Sequence, residues 1–422
     1  MSSLNQTPTG ERTRIAFFGM RNAGKSSLVN KFTNQTISIV SDVKGTTTDP
    51  VYKAMELLPL GPVQIIDTPG LDDEGELGAK RVMRAMDVLN VADMVIIVVD
   101  GVHLTKEIKD LRDVIIDRKL PYIIAFNKAD KYNETKDLKE TNFEEIKEQV
   151  KTTLDKPDAL KEGFHINVSA KTGLNIDLLR DVAAAIAGHH KEEKVIVSDL
   201  LKPGDTVVLV VPIDKSAPKG RLILPQQQVI RDLLDNNITA MVTTDEMLAD
   251  TMTRLVNPPN LVITDSQIFG FVNKTIDPSV PLTSFSILMA RYKGDLPLLI
   301  KGASAIKDVK EGDKLLISEG CTHHIQCEDI GTVKLPRWIK EFTECTPEFF
   351  FTQGKEFPGE FEDYKAVIHC GGCMLGEKEM KNRIKNASSH GVPVTNYGIL
   401  IAYMNGILKR SVAIFPEIPP LD

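Results

Sequence analysis

The stretch GMRNAGKS at 19–26 follows directly on the apolar run TRIAFFG at 13–19 and opens a helix-forming segment from Lys25. No other feature constrains the fold of this chain as tightly. G-x-x-x-x-G-K-S between a buried strand and a helix makes a loop whose backbone N–H groups face phosphate oxygens. Gly19 and Gly24 let the backbone curl that closely, and the helix N-terminus adds a partial positive charge. Lys25 is expected to reach the β- and γ-phosphates, and the Ser26 hydroxyl to hold Mg²⁺. Asn22, Ala23 and Ser27 complete the expected phosphate-binding set.

Similar apolar runs recur at VQIID (63–67), MVIIVVD (94–100), PYIIAFN (121–127) and FHINVSA (164–170). Polar amphipathic segments of helical length lie between most of them. Strand and helix in alternation predict an α/β domain with a mostly parallel sheet and helices on both faces. It is expected over residues 1–190, ending at the polar linker IAGHHKEEK (186–194). From LLKPGDTVVLVVPID (200–214) to LVITD (261–265), a strand, a helix and further strands predict a small α/β middle domain over 191–265. It holds no chemical motif, so a packing or self-association module is expected. Its β-branched strands suit a sheet continuing across a homodimer. A third α/β domain is expected over 266–422, with the sole tryptophan, Trp338, and a second set of reactive residues.

Three further motifs sit on the ends of the first domain's strands. In DTPG (67–70), Asp67 can hold Mg²⁺ through water and the Gly70 N–H can sense a γ-phosphate. NKAD (127–130) follows a third strand. The Asp130 carboxylate can accept from N1–H and the exocyclic amine of guanine, a donor pair that adenine lacks, so it selects GTP. Asn127 buttresses the base, the Lys128 stem can lie along its face, and in SAK (169–171) the Ala170 N–H can meet guanine O6, flanked by Ser169 and Lys171. Four motifs in this order define a GTPase domain. Their spacing resembles the translation-factor-related branch of G domains that includes Era, Der and MnmE. KGTTTDP (44–50) resembles that branch's first switch, GTTRD in many members, which makes Thr47 the switch threonine on Mg²⁺ and Thr46 its neighbour; Thr48 stands where the arginine usually is. Asn22 matches the asparagine that helps bind potassium in the K⁺-activated members. Leu71 occupies the place of the water-orienting glutamine of Ras-like proteins, so hydrolysis is expected to be slow, with Lys25, Thr47 and Gly70 as the catalytic set. Asp72, Asp73 and Glu74 read as solvated loop acids, and His103 and His165 as surface or strand-end histidines.

CTHHIQC from Cys321 and HCGGC from His369 hold four of the five cysteines and three of the eight histidines. Two glycines between Cys370 and Cys373 let both thiolates turn toward one ion, and Cys321 with His323 lies upstream. His323 and His369 are candidate imidazole ligands, whereas His324 reads as a bystander. Zinc would accept three cysteines and a histidine, and a cubane iron–sulfur cluster takes three thiolates and leaves one iron for another ligand. The spacing is open to either. Cys327 and Cys345 read as buried small hydrophobes. The net charge of −7 comes without a long lysine or arginine run, so a large nucleic-acid surface is not expected. Apolar runs such as MVIIVV (94–99) are far shorter than a bilayer span. The first residues show no apolar leader, and an odd cysteine count argues against disulfide stapling, so a reducing cytoplasm is expected.

A G domain of this branch, a motif-free middle domain, then C-x-H and H-C-x-x-C about 45 residues later (321–323 and 369–373) resemble the HydF family, the GTPase maturases of FeFe-hydrogenases. The resemblance spans essentially the whole chain. It implies a 4Fe–4S cluster on Cys321, Cys370 and Cys373, with His323 or His369 at or near the fourth position. It also implies a scaffold that accepts a two-iron precursor made with two radical-SAM maturases and delivers it to the apo-hydrogenase. Two other readings fit the motifs: a ribosome- or RNA-associated GTPase with a structural zinc tail, and a redox enzyme using Cys370 and Cys373 as a dithiol.

Overall fold

A computed structural model of the chain describes residues 11–34, 50–71, 86–101, 103–132, 148, 150–153, 163–189, 194–213, 222–320, 329–354 and 356–421. Thr46, Thr47, Thr48, Asp72, Asp73, Glu74, Cys321, His323, His324 and Cys327 lie outside them. The chain forms two compact units, Met1–Glu193 and Lys194–Asp422.

The first unit is built on a six-stranded sheet of β1 (Thr13–Gly19), β2 (Val51–Leu57), β3 (Gly61–Asp67), β4 (Met94–Asp100), β5 (Tyr122–Asn127) and β6 (Phe164–Asn167). Its spatial order is β2-β3-β1-β4-β5-β6. All neighbours pair in parallel except β2 with β3. Alternation along β1 sends Ile15 and Phe17 into the core beneath the helices Lys25–Thr33 and Ile176–His189, and Ala16 and Phe18 into the core on the opposite face. Both faces are covered, which is why these strands read as continuous apolar runs. Each fully buried side chain of this size contributes roughly 1.5–3 kcal/mol. The antiparallel edge strand β2 was not expected. Its residues alternate between solvent and sheet, with Lys53 and Leu57 buried and four of seven exposed, so VYKAMEL carries no apolar run.

The second unit holds two four-stranded parallel sheets. One has the order β10-β9-β7-β8, from β7 (Thr206–Val210), β8 (Thr239–Thr243), β9 (Leu261–Thr264) and β10 (Leu282–Ser284). The other has the order β12-β11-β13-β14, from β11 (Lys314–Glu319), β12 (Glu348–Gln353), β13 (Tyr364–His369) and β14 (Val394–Asn396). A boundary at 265/266 would cut the first of these sheets, because β10 pairs with β9 through Leu282↔Val262 and Ser284↔Thr264. One apolar core also runs through both, taking in Val208, Val262 and Leu282 together with Leu316, Val367 and Ile399. Among the described residues no helix is long and apolar enough to cross a membrane.

Candidate functional site

The nucleotide motifs converge at the C-terminal ends of the first unit's parallel strands. Gly24 caps the helix Lys25–Thr33 in the left-handed region, at φ 81°. A Cβ there would lie 2.4 Å from Asn127 Nδ2, so glycine is required for the loop to approach β5. Asn127 ties three motifs together. Its amide donates to the Ala23 carbonyl at 2.9 Å, and its carbonyl oxygen accepts from the Ala170 N–H at 3.0 Å. Lys128 Nζ donates to the Asn22 carbonyl at 2.8 Å and pairs with Asp100 at 2.5 Å. Phosphate loop and base pocket are thus one hydrogen-bonded assembly.

The Ser169 hydroxyl donates to Asp130 Oδ1 at 2.6 Å, and this bond holds the Asp130 carboxyl below its ordinary range. The group stays an anionic acceptor, as guanine recognition needs. Lys25 and Asp67 are both buried, and Lys25 Nζ lies 2.5 Å from Asp67 Oδ1. These are the side chains expected to meet the phosphates and the Mg²⁺ shell, and they stabilise each other. Ser26 and Gly70 are half-buried at the same end of the sheet, and Ser27 and Lys171 are exposed. His103 and His165 are exposed.

Sequence reasoning missed Lys53. It is buried on β2 and donates to Asn30 Oδ1 at 2.6 Å; burial lowers its pKa, opposed by the nearby Asp67 carboxylate. A lone lysine in a charged-looking edge strand gives no signal of this.

The second unit places a thiol turn at the end of β13. The Cys370 N–H donates to the Ser318 carbonyl at 2.9 Å, so the turn starts beside the end of β11. The Gly320 N–H points at Cys370 Sγ from 3.1 Å and the Gly372 N–H from 3.4 Å. Cys321 follows Gly320 in the sequence and lies outside the described residues. Burial pushes the Cys370 thiol up to about 11 and also raises Cys373. Without a cation such thiols are inert. The described donors suit a soft metal group: two thiols on one turn and two N–H donors aimed at sulfur. Among the described residues alone, no group of three or more Cys, His, Asp or Glu is placed to hold an ion.

His369 sits differently from its cysteine neighbour. It lies on the face of β13 shared with Val367, whereas Cys370 packs with Ala366 and Ile368 on the other. Its Nδ1 is 2.9 Å from the Cys370 carbonyl and its Nε2 is 3.4 Å from Arg383 Nη1. Complete burial, with Arg383 close by, takes its pKa down to about 4. Both ring nitrogens already have partners, which weakens its case as a ligand. Cys345 is partly buried against the core beneath β11, its thiol 3.3 Å from Thr343 Oγ1.

Residues 14–128 match the family profile described as "50S ribosome-binding GTPase". The matched segment carries the P-loop and DTPG stretches and the first two residues of NKAD on this sheet order, and the first unit is a P-loop GTPase domain. Residues 196–294 match "Hydrogen maturase F dimerization domain" and residues 297–414 match "Hydrogen maturase F tetramerization domain". The chain belongs to the hydrogen maturase F family, HydF. The chain is 33% identical over 190 residues to GTPase Der of Mycoplasmopsis agalactiae, covering 43% of this chain and 41% of that protein. It is 24% identical over 257 residues to the tRNA modification GTPase MnmE of Nitrosomonas eutropha, covering 57% and 51%. The chain spans about half or less of the length of the curated relatives it matches. Among solved structures, Era of Aquifex aeolicus aligns at 19% identity with a TM-score of 0.33, covering 55% of this chain and 92% of that one.

Proposed function

We propose that the chain is a GTP-binding and hydrolysing scaffold that carries a 4Fe–4S cluster on Cys321, Cys370 and Cys373 and delivers the two-iron subcluster to apo-FeFe-hydrogenase. The observation that carries this reading is the thiol turn beside Gly320, in a HydF-family chain whose other unit is a G domain. Three thiolates would leave one iron for a weaker, exchangeable ligand, as a carrier needs. With both nitrogens of His369 engaged, His323 is the preferred histidine for that position.

At the other end, Lys25 would exchange Asp67 for the phosphates, freeing the Asp67 carboxylate for the Mg²⁺ shell with Ser26 and Thr47. The Gly70 N–H would report the γ-phosphate. With Leu71 in place of a water-orienting glutamine, turnover would be slow, and Asn22 would make it potassium-stimulated. Partners are the apo-hydrogenase and the two radical-SAM maturases that supply the two-iron precursor, and the setting is cytoplasmic. The names of the two matched C-terminal families support self-association as a dimer and beyond. GTP state would bias partner docking or release through the switches.

The test is anaerobic purification followed by absorbance and metal analysis. A brown protein with broad absorption near roughly 400 nm and about four irons per chain is expected. Cys321→Ala, Cys370→Ala and Cys373→Ala should each bleach it while GTP hydrolysis continues. A colourless protein with one tight zinc would overturn the scaffold role.

A further inference from the structure

Lys293 ends the helix Phe285–Lys293 and is only 2% exposed. Burying an ammonium is costly unless its three N–H donors are met. Here Nζ donates to the carbonyls of Cys373 and Leu375, each at 3.0 Å, and of Gly372 at 3.4 Å. All three belong to the thiol turn or the residues just after it. The lysine comes from the region matched as the dimerization domain, whereas the turn lies in the region matched as the tetramerization domain.

Carbonyl oxygens satisfy an ammonium's hydrogen bonds without cancelling its charge. A bound cluster would bring thiolate charge to the turn whose Cys373 and Leu375 carbonyls Lys293 holds. Gly372 reinforces the need for an external clamp. It sits at φ 61°, and a Cβ there would lie 2.0 Å from Met380 Cε, so the turn is pressed against the helix Glu377–Ser389 in a conformation other residues avoid.

We propose that Lys293 is a positioning residue of the thiol site: it clamps the Cys370–Cys373 turn through its carbonyls and offsets the thiolate charge of the bound cluster, raising the cluster's reduction potential. The charge half rests on the functional reading above, since potentials of such groups follow net charge and hydrogen bonding. The clamp half concerns the chain alone.

The experiment uses the full chain with Lys293→Gln, which keeps two donors but no charge, and Lys293→Arg, which keeps charge but moves the donors. After reconstitution with equal ferrous and ferric iron and sulfide, each is titrated with dithionite, which gives up the electron that the cluster takes, and the reduced cluster is followed by electron paramagnetic resonance. Lys293→Gln should titrate at a more negative potential and lose iron to a chelator roughly 10-fold faster than the parent. Lys293→Arg should keep a potential near the parent's while also losing iron faster. A Lys293→Gln protein matching the parent in both overturns the proposal. If that variant does not fold, Lys293→Arg decides the clamp, because iron release at the parental rate would exclude it. If the parent takes up no cluster, the functional reading and the charge role fall together. The clamp is then judged by iodoacetamide alkylation of Cys370 and Cys373 in the cluster-free chain, expected to be faster in either variant and overturned by equal rates.

Discussion

At the nucleotide loops the functional residues hold one another, whereas at the thiol turn they are held by residues from distant parts of the chain. Asn127 grips Ala23 and Ala170, Ser169 braces Asp130, and Lys25 pairs with Asp67; each of these partners is itself a motif residue, while Lys128 also pairs with Asp100 outside the motifs. Cys370 and Cys373 depend on Gly320, Lys293 and the packing of Met380. The first arrangement survives any neighbourhood that keeps the strands in order. The second needs a particular neighbourhood, so substitutions far from the cysteines in sequence should reach them.

The largest effect should come from Lys25→Met, which keeps the stem and removes the charge. GTP hydrolysis is expected to fall by about 10²- to 10³-fold, the cost typical of removing one donor to developing charge. Iron content per chain should stay at the parental level. A variant that lost its cluster as well would show that the two ends are not separable.

Arg383→Met probes the thiol end in the opposite sense. Arg383 is 6% exposed and donates to the Gly354 carbonyl at 2.6 Å and to Glu379 at 3.0 Å. Losing it leaves a partly buried carboxylate and a carbonyl without these donors, a cost of about 3 kcal/mol. The melting transition of the second unit should drop by roughly 6–12 °C, while nucleotide-induced stabilisation of the first unit persists. An unchanged melting curve would mean that the support around His369 is redundant.

Asp130→Asn sharpens the nucleotide side. An amide can still accept at its oxygen but presents N–H donors where guanine also donates. GTP affinity should fall about 10- to 100-fold, and xanthosine triphosphate, with an oxygen in place of the guanine amine, should be bound in preference. Equal discrimination in parent and variant would remove Asp130 from the base pocket.

How much of this could be read from sequence follows from the same contrast. Strands β1, β3, β4 and β5 were legible because burial writes itself as a mainly apolar run, broken in β3 only by the half-buried Gln64. β2 was not, since an antiparallel edge beside solvent mixes Tyr52, Lys53 and Glu56 into its pattern. The convergence of the P-loop, NKAD and SAK stretches was legible because each is a short contiguous motif at a strand end. The cysteines were legible from their spacing, but Lys293, Arg383 and Gly320 were not: they reach the turn through tertiary packing, at sequence separations of 80 for Lys293 to Cys373 and 50 for Gly320 to Cys370. Nothing in RYKGD sets this lysine apart from one in water. The pairing of β10 with β9 across the boundary expected at 265 was hidden for a related reason. The three-residue strand β10 is too short to announce itself, and it joins the middle sheet only through its pairing with β9.

The smallest expected effect concerns Asn22, and it asks whether the nucleotide end is as self-contained as its hydrogen bonds suggest. Asn22 is exposed, at φ 62°, and its carbonyl accepts from Lys128. A residue in the left-handed region is either tolerated there for its backbone or kept for its side chain, and Asn22→Gly separates the two. Glycine adopts that φ without strain and retains the carbonyl, so only the amide is lost. If the amide ligates potassium beside the phosphates, hydrolysis by the parent should be faster in K⁺ than in Na⁺ by about 5-fold, the worth of one ligand near 1 kcal/mol, and Asn22→Gly should run at the Na⁺ rate in both salts. Equal parental rates in the two salts would remove the cation and leave Lys25 as the positive charge on which hydrolysis depends. Persistent stimulation in the glycine variant would instead assign the ion to backbone carbonyls of the loop, and the asparagine to backbone geometry alone.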